Sequence, residues 1–266
     1  MGRRIGIIAS SGEIPSLIQK KAQDEGYTCV VASIEGQAER TSGADSGFTQ
    51  WFHLWDIEGV ISYFKSKGVS EVLFAGKVDP RVIYDARFNP TALRILNSGV
   101  DKKPVSIIGK VIFLFEEQGL SVIDPTPFFA PFFCEKGVIT ETQPSEAIES
   151  DIAFGWDIAR SIADLDIGQT VIVKSRAIVA IEGMEGTDQT IRRGGLLAGV
   201  GTTVVKVSRS DQDPRIDLPA LGLTTVQSLV EAQSSALCFE ADTMPFFQQH
   251  DAVSLADAHN ITIIAR

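Results

Sequence analysis

Cysteine, histidine and methionine each occur only three times in the 266 residues. Cys29, Cys134 and Cys238 are far apart and form no C-x-x-C pair, so neither a disulfide framework nor a thiol-based metal knuckle is expected. Cys29 and Cys238 sit in the apolar runs "YTCVVAS" and "ALCFEA". Core packing is their expected role, and a reducing cytoplasm is the expected compartment. His53, His250 and His259 lack H-x-x-x-H or H-x-E spacing, which argues against zinc. His53, in "WFHLWD", is expected to pack among its aromatic neighbours. No G-x-S-x-G elbow, G-x-G-x-x-G fingerprint or Walker A loop is present.

Positive charge is also in short supply. Lysine and arginine total 24 against 34 acids, a net charge of −10. The mean field therefore repels nucleic acid and anionic lipid, and no polybasic run offers a membrane-surface anchor. No apolar segment approaches the ~20 residues needed to span a bilayer. The opening "MGRRIGIIASSGEIP" is too short for a signal-peptide core and is broken by Ser10, Ser11, Gly12 and Glu13. The expectation is a soluble cytoplasmic protein with no nucleic-acid partner. Any anionic ligand must then be held by local cations, helix N-termini or a metal.

What is present is an ordinary globular balance, 44% hydrophobic and 22% charged, in a chain long enough for two domains. The first half repeats one phrase: a helix-like stretch, a glycine, then a β-rich run. It appears in "KKAQDEG-YTCVVAS", "ISYFKSKG-VSEVLFAG" and "LFEEQG-LSVID". Gly26, Gly68 and Gly119 read as helix stops. Ile57, Val60, Ile61 and Phe64 form one helical stripe, as do Val105, Ile108, Ile112 and Phe115. Alternating helices and strands predict α/β architecture, with a Rossmann-like parallel sheet over residues 1–130.

The composition then shifts. "DPTPFFAPFFCEKGVITETQPSE" carries four prolines and four phenylalanines without a helical period and reads as an inter-domain crossing, with a linker over 131–146. Helix signals resume at Pro144, Ser145 and Glu146, with Ile148, Ile152, Gly155, Ala159 and Ile162 as the inner face. "QTVIVK" and "RAIVAIEG" predict a hairpin, and further strand and helix signals run to "ITIIAR". Residues 147–266 are thus expected to form a second α/β domain with a mixed sheet, which would carry the catalysis.

Four segments carry candidate chemistry. In "IGIIASSGEIP", a strand runs into Ser10, Ser11 and Gly12 and then a helix, whose start would offer backbone N–H groups to an anion. In "FAGKVDPRV", Gly76 ends a strand and Lys77, Asp79 and Arg81 follow, so the cations would face the same loop. In "AIVAIEGMEGTDQTIRR", Glu182, Glu185 and Asp188 lie within seven residues, with Arg192 and Arg193 one helical turn beyond. Carboxylates suit Mg²⁺, and arginine suits phosphate oxygens. A charged helix start capped by Thr187 accounts for Asp188 but leaves Glu182 at the end of an apolar strand unexplained. In "RSDQDPRIDLPALG", Asp217 stands between two apolar residues, as a carboxylate held partly inside would.

Taken together and in order, "IGIIASSGEIP", "VLFAGKVDPR", "LDIGQTVIVKSRAIVAIEGMEGTDQTIRR" and "RIDLPALGLTT" resemble the LpxI-type UDP-2,3-diacylglucosamine pyrophosphatases over nearly the whole chain. Two departures stand out: Ser10 and Ser11 replace a glycine-rich first loop, and the phrase after Gly76 is Lys77-Val78-Asp79-Pro80-Arg81. The resemblance implies hydrolysis of a nucleotide-sugar lipid to UMP and 2,3-diacylglucosamine 1-phosphate in lipid A synthesis, with Mg²⁺, and it places Asp217 on the family's essential carboxylate. Glu182 and Asp188 would join Asp217 around the metal, and Arg192 would meet the phosphoryl group. Ser10, Ser11, Gly12, Gly76, Lys77, Arg81, Thr187 and Arg193 would bind the polar substrate. Phe128 and Phe129 are candidates for the acyl chains, the competing reading being that they pin the linker. Transient contact with the inner-membrane surface and a homo-oligomer both stay open. A nucleotide-sensing module without catalysis is the alternative function.

Overall fold

A computed structural model of the chain describes residues 2–38, 48–78, 90, 93 and 103–266. Arg81 and Asp79, named above, lie outside the described residues. The chain divides into two compact units: Met1–Phe129 with Asp213–Asp217, and Ala130–Gln212 with Leu218–Arg266.

The N-terminal unit contains β1 (Arg4–Ala9), α1 (Ile14–Asp24), β2 (Thr28–Ile34), β3 (Thr49–Phe52), α2 (Ile57–Ser66), β4 (Glu71–Ala75), α3 (Pro104–Glu117) and β5 (Ser121–Val122). The strands lie in the order β3-β2-β1-β4-β5, and every neighbouring pair is parallel. This is the Rossmann order without its sixth strand, in which ligand crevices open beyond the carboxyl ends of the strands. Gly26, Gly68 and Gly119 each lie just past a helix end with φ of 84°, 67° and 77°, the left-handed stop that glycine adopts without Cβ strain. The α2 stripe of Ile57, Val60, Ile61 and Phe64 is buried as its spacing predicts, and Phe64 is fully enclosed. Burying such a side chain contributes roughly 1.5–3 kcal/mol. The α3 stripe is displaced: Ile107, Ile112 and Phe115 are buried, while Val105 and Ile108 are only partly covered. His53 does not pack among aromatics. Phe52 turns inward, and the next side chain, pointing to the opposite side, is 86% exposed with Nδ1 2.7 Å from Glu35 Oε2.

The Pro- and Phe-rich stretch is not structureless. Thr126–Phe132 forms a 3₁₀ helix that contains Pro131.

The C-terminal unit contains β6 (Gly137–Val138), α4 (Glu146–Asp164), β7 (Thr170–Lys174), β8 (Ala177–Ile181), α5 (Thr187–Ala198), β9 (Thr203–Lys206), α6 (Leu223–Glu231), β10 (Ala236–Phe239), α7 (Gln249–Ala258) and β11 (Thr262–Ala265). Its sheet order is β6-β11-β10-β9-β7-β8. β9, β10 and β11 are mutually parallel, while β6, β7 and β8 pair antiparallel with their neighbours, so the sheet is mixed. Ser145 caps α4 by accepting from Ile148 N at 3.3 Å. The inner face of α4 is Asp151, Ile152, Gly155, Ala159 and Ala163; Ala163 takes the place expected of Ile162.

β7 and β8 form the expected hairpin, closed by Ser175 and Arg176 at φ of 51° and 58°. Two left-handed residues make a type I′ turn, usually supplied by Asn-Gly. Here the carboxylate of buried Asp151 accepts both turn N–H groups, from Ser175 at 3.1 Å and Arg176 at 2.6 Å. A side chain 24 residues away in sequence thus holds a turn whose own residues do not favour it.

Candidate functional site

In the N-terminal unit, β1 and β4 are neighbours, and the loops at their carboxyl ends are stitched together. Ser10 N and Oγ donate to Ala75 O at 2.9 and 3.0 Å. Ser11 N donates to Lys77 O at 3.2 Å, Lys77 N returns a bond to Ser11 O at 3.0 Å, and Ser11 Oγ also donates to Lys77 O. Gly76 makes this approach possible: its φ is 90°, and a Cβ there would stand 2.4 Å from Ser11 O. Ser10, Ser11, Gly76 and Lys77 are therefore brought together. The serine N–H groups are already committed to backbone carbonyls, whereas Gly12 and the Lys77 side chain are exposed.

The sequence pattern predicts Asp217 in the C-terminal domain and partly inside. Instead, Asp213–Asp217 belongs to the N-terminal unit, and Asp217 is exposed. The cause is a tight turn: Ile216 N and Asp217 N both donate to Asp213 O, at 3.0 and 3.2 Å. The turn lays Ile216 on the N-terminal apolar cluster and swings the following residue outward. Arg215 fastens the segment, donating to both oxygens of Asp213 and standing 3.3 Å from Glu116 of α3.

In the C-terminal unit, the carboxyl ends of β8 and β9 and the start of α5 meet. Glu182 follows β8 and is 9% exposed. Its Oε2 accepts from Gln169 N at 3.1 Å and its Oε1 from Thr187 Oγ1 at 3.0 Å. The backbone of Gly168 passes so close that a Cβ there would lie 2.2 Å from Glu182 O. Thr187 is the first residue of α5 rather than its cap. The N-cap is Gly186, which has no side chain to offer, and Thr187 is drawn toward Glu182. Lys206, the last residue of β9 and 6% exposed, donates to the same hydroxyl at 2.8 Å. The order is ammonium, hydroxyl, carboxylate. Asp188 is half-buried in the first turn of α5.

The two arginines of the charged knot part company. Arg193 binds Ile181 O at 2.8 Å and pairs with Glu185. Arg192 pairs with Glu231 of α6. Burial of the Glu185 carboxyl pushes its pKa up. Its own N–H, the hydrogen bond and charge of Arg193, and Gly183 N–H outweigh this, and the net shift is downward.

Both halves of this architecture match known family models: residues 4–132 match the LpxI N-terminal domain and residues 135–264 the LpxI C-terminal domain. The chain belongs to the LpxI family. It is 25% identical over 275 aligned positions to the UDP-2,3-diacylglucosamine pyrophosphatase LpxI of Caulobacter vibrioides (strain ATCC 19089 / CIP 103742 / CB 15), covering 96% of this chain and 94% of that protein.

In this LpxI chain Phe128 and Phe129 are 6% and 2% exposed, and Phe128 meets Tyr27 edge-on with ring centroids 6.4 Å apart. Their burial is what pinning by core packing requires. Among the described residues, no three histidine, cysteine, aspartate or glutamate side chains gather as a metal cluster, and no helix is long and apolar enough to cross a membrane. Mg²⁺ commonly takes only one or two protein carboxylates beside substrate phosphates. Asp188 and Asp217 each fit that modest demand in chemistry, one in each unit. Glu182 fits less well, since each of its oxygens already accepts a protein hydrogen bond.

Residue type does not by itself mark Lys206, Gln169 or Gly168 as part of this site. The one signal for Lys206 was its place in "TTVVKVS", a lysine interrupting an otherwise apolar strand. Gln169 acts through its backbone, and Gly168 by having no side chain, so neither left a mark in residue type.

Proposed function

We propose that the protein hydrolyses the pyrophosphate of UDP-2,3-diacylglucosamine to UMP and 2,3-diacylglucosamine 1-phosphate. The observation that carries this reading is the match of both domains, in order, to a family whose Caulobacter member bears that activity in its name. In the reaction, water adds to one phosphorus, the bridging P–O bond breaks, and the bridging oxygen departs with the other phosphate.

The catalytic demand is charge neutralisation and an aligned water. Asp217, exposed on a turn held by Arg215 and Ile216, is assigned to orient the water or to help hold Mg²⁺. Asp188, half-buried in the first turn of α5, is a separate candidate carboxylate for Mg²⁺. When bound, Mg²⁺ would shield phosphate charge and acidify a bound water. Lys77 is exposed at a strand end and is assigned to the anionic substrate. The acyl chains make transient contact with the cytoplasmic face of the inner membrane part of the same proposal.

The test is incubation of purified full-length protein with UDP-2,3-diacylglucosamine, with and without Mg²⁺, followed by UMP detection. UMP formed only with the cation supports both parts. UMP formed equally well in a chelator removes Mg²⁺. Saturable binding of the substrate with no UMP identifies a nucleotide-sensing module instead.

A further inference from the structure

Lys206 is buried without an ion-pair partner among the described residues. It is 6% exposed, and among the described residues its Nζ donates a single hydrogen bond, to Thr187 Oγ1 at 2.8 Å, with no carboxylate within 4.0 Å. An ammonium carries three donors, and an unpaired buried charge is strongly unfavourable. Glu182 compensates only at one remove, beyond the Thr187 hydroxyl, and its two oxygens are taken by Thr187 and Gln169 N.

The hydroxyl that Lys206 touches is the first residue of α5, a helix of twelve residues whose N-terminus no side chain caps. The first intrahelical bond is Thr190 N to Gly186 O. The N–H groups of Thr187, Asp188 and Gln189 have no acceptor among the described residues. Free N–H groups and the positive end of the helix dipole favour an anion there, and the Asp188 carboxylate supplies only part of that charge. The place is also where α/β sheets put ligands, at the carboxyl ends of β8 and β9.

We infer that Lys206 and the N-terminus of α5 form a phosphate-binding subsite of the C-terminal unit, which receives one phosphoryl group of the substrate. This rests on the pyrophosphatase reading for the identity of the ligand, but the anion subsite itself does not.

Inorganic pyrophosphate, titrated calorimetrically into the full chain, is the probe. Lys206→Met should weaken its binding about tenfold or more, the effect of losing a charge-assisted bond, whereas Lys206→Arg should retain most of it. UMP release from the lipid substrate is measured in parallel. Wild-type protein that binds no pyrophosphate, or a Lys206→Met protein that binds it as wild type does, overturns the subsite whatever the hydrolysis assay gives. Lys206-dependent binding without UMP release keeps the subsite and removes the hydrolase reading. Lys206→Met removes one end of the Lys206–Thr187–Glu182 line, so thermal unfolding is measured for each variant alongside binding. Lys206→Gln serves if the methionine variant does not fold, and unfolding of both with a folded Lys206→Arg would make the lysine a structural charge and overturn the inference.

Discussion

Thr187 donates to Glu182 Oε1 at 3.0 Å instead of capping the helix it begins. That one hydroxyl links the acid ending β8 to the lysine ending β9. Thr187→Val keeps the shape and removes the link, leaving both buried groups short of a partner. A loss of about 1–3 kcal/mol is expected. Thr187→Ser should retain most of the stability, and urea unfolding midpoints measure both.

The hairpin between β7 and β8 depends on Asp151. Asp151→Ala leaves the N–H groups of Ser175 and Arg176 without their acceptor in a left-handed turn. It should destabilise by about 1–3 kcal/mol, read from denaturant unfolding. Arg176→Gly removes the Cβ strain at that turn and should recover part of the loss in the Asp151→Ala background. No recovery would mean that Asp151 acts through packing alone.

Glu185 should make stability depend on pH in acid. Its folded pKa lies below the ordinary 4.5, despite burial, because its own N–H, Arg193 and Gly183 favour the carboxylate. The unfolded state therefore binds the proton more readily. The contribution is fully present above about pH 4.5 and is lost as pH falls through the lower folded value. Glu185→Gln should unfold at a lower temperature than wild type at neutral pH, and the gap should close in acid. A constant gap from pH 3 to pH 7 would contradict the assignment.

All three thiols should be inert in the folded protein. Burial pushes Cys29 up to about 11 and Cys238 up to about 12, Arg266 opposing the latter, and burial followed by Asp242 raises Cys134. A thiol reagent at pH 8 should label none of them rapidly and all of them in denaturant, since the thiolate is the reactive species. Rapid labelling of one cysteine in native buffer would show local opening around it.

Asp217→Ala should lower turnover by orders of magnitude with little change in thermal unfolding. The side chain is exposed, while Ile216 and Arg215 hold the turn. Near-normal UMP production would remove Asp217 from the chemistry. A large fall in unfolding temperature would instead assign it to the turn.

The fold was legible wherever a local rule acts alone. Glycines 26, 68 and 119 stop helices because the left-handed cap needs no partner beyond the turn itself. The α2 stripe and the β7–β8 hairpin followed from periodicity for the same reason. Where two elements must meet, residue type alone misled: His53 left its aromatic neighbours, Thr187 left its cap, and Asp217 joined the N-terminal unit.

What the sequence determined by itself was the α/β order, the helix ends and the ordered motifs that mark the family, because these depend on neighbours along the chain. Tertiary structure alone decided that Lys206, Thr187 and Glu182 share one hydrogen-bonded line. Those residues come from two strand ends and a helix start, and only the pairing of β7 with both β8 and β9 brings them together.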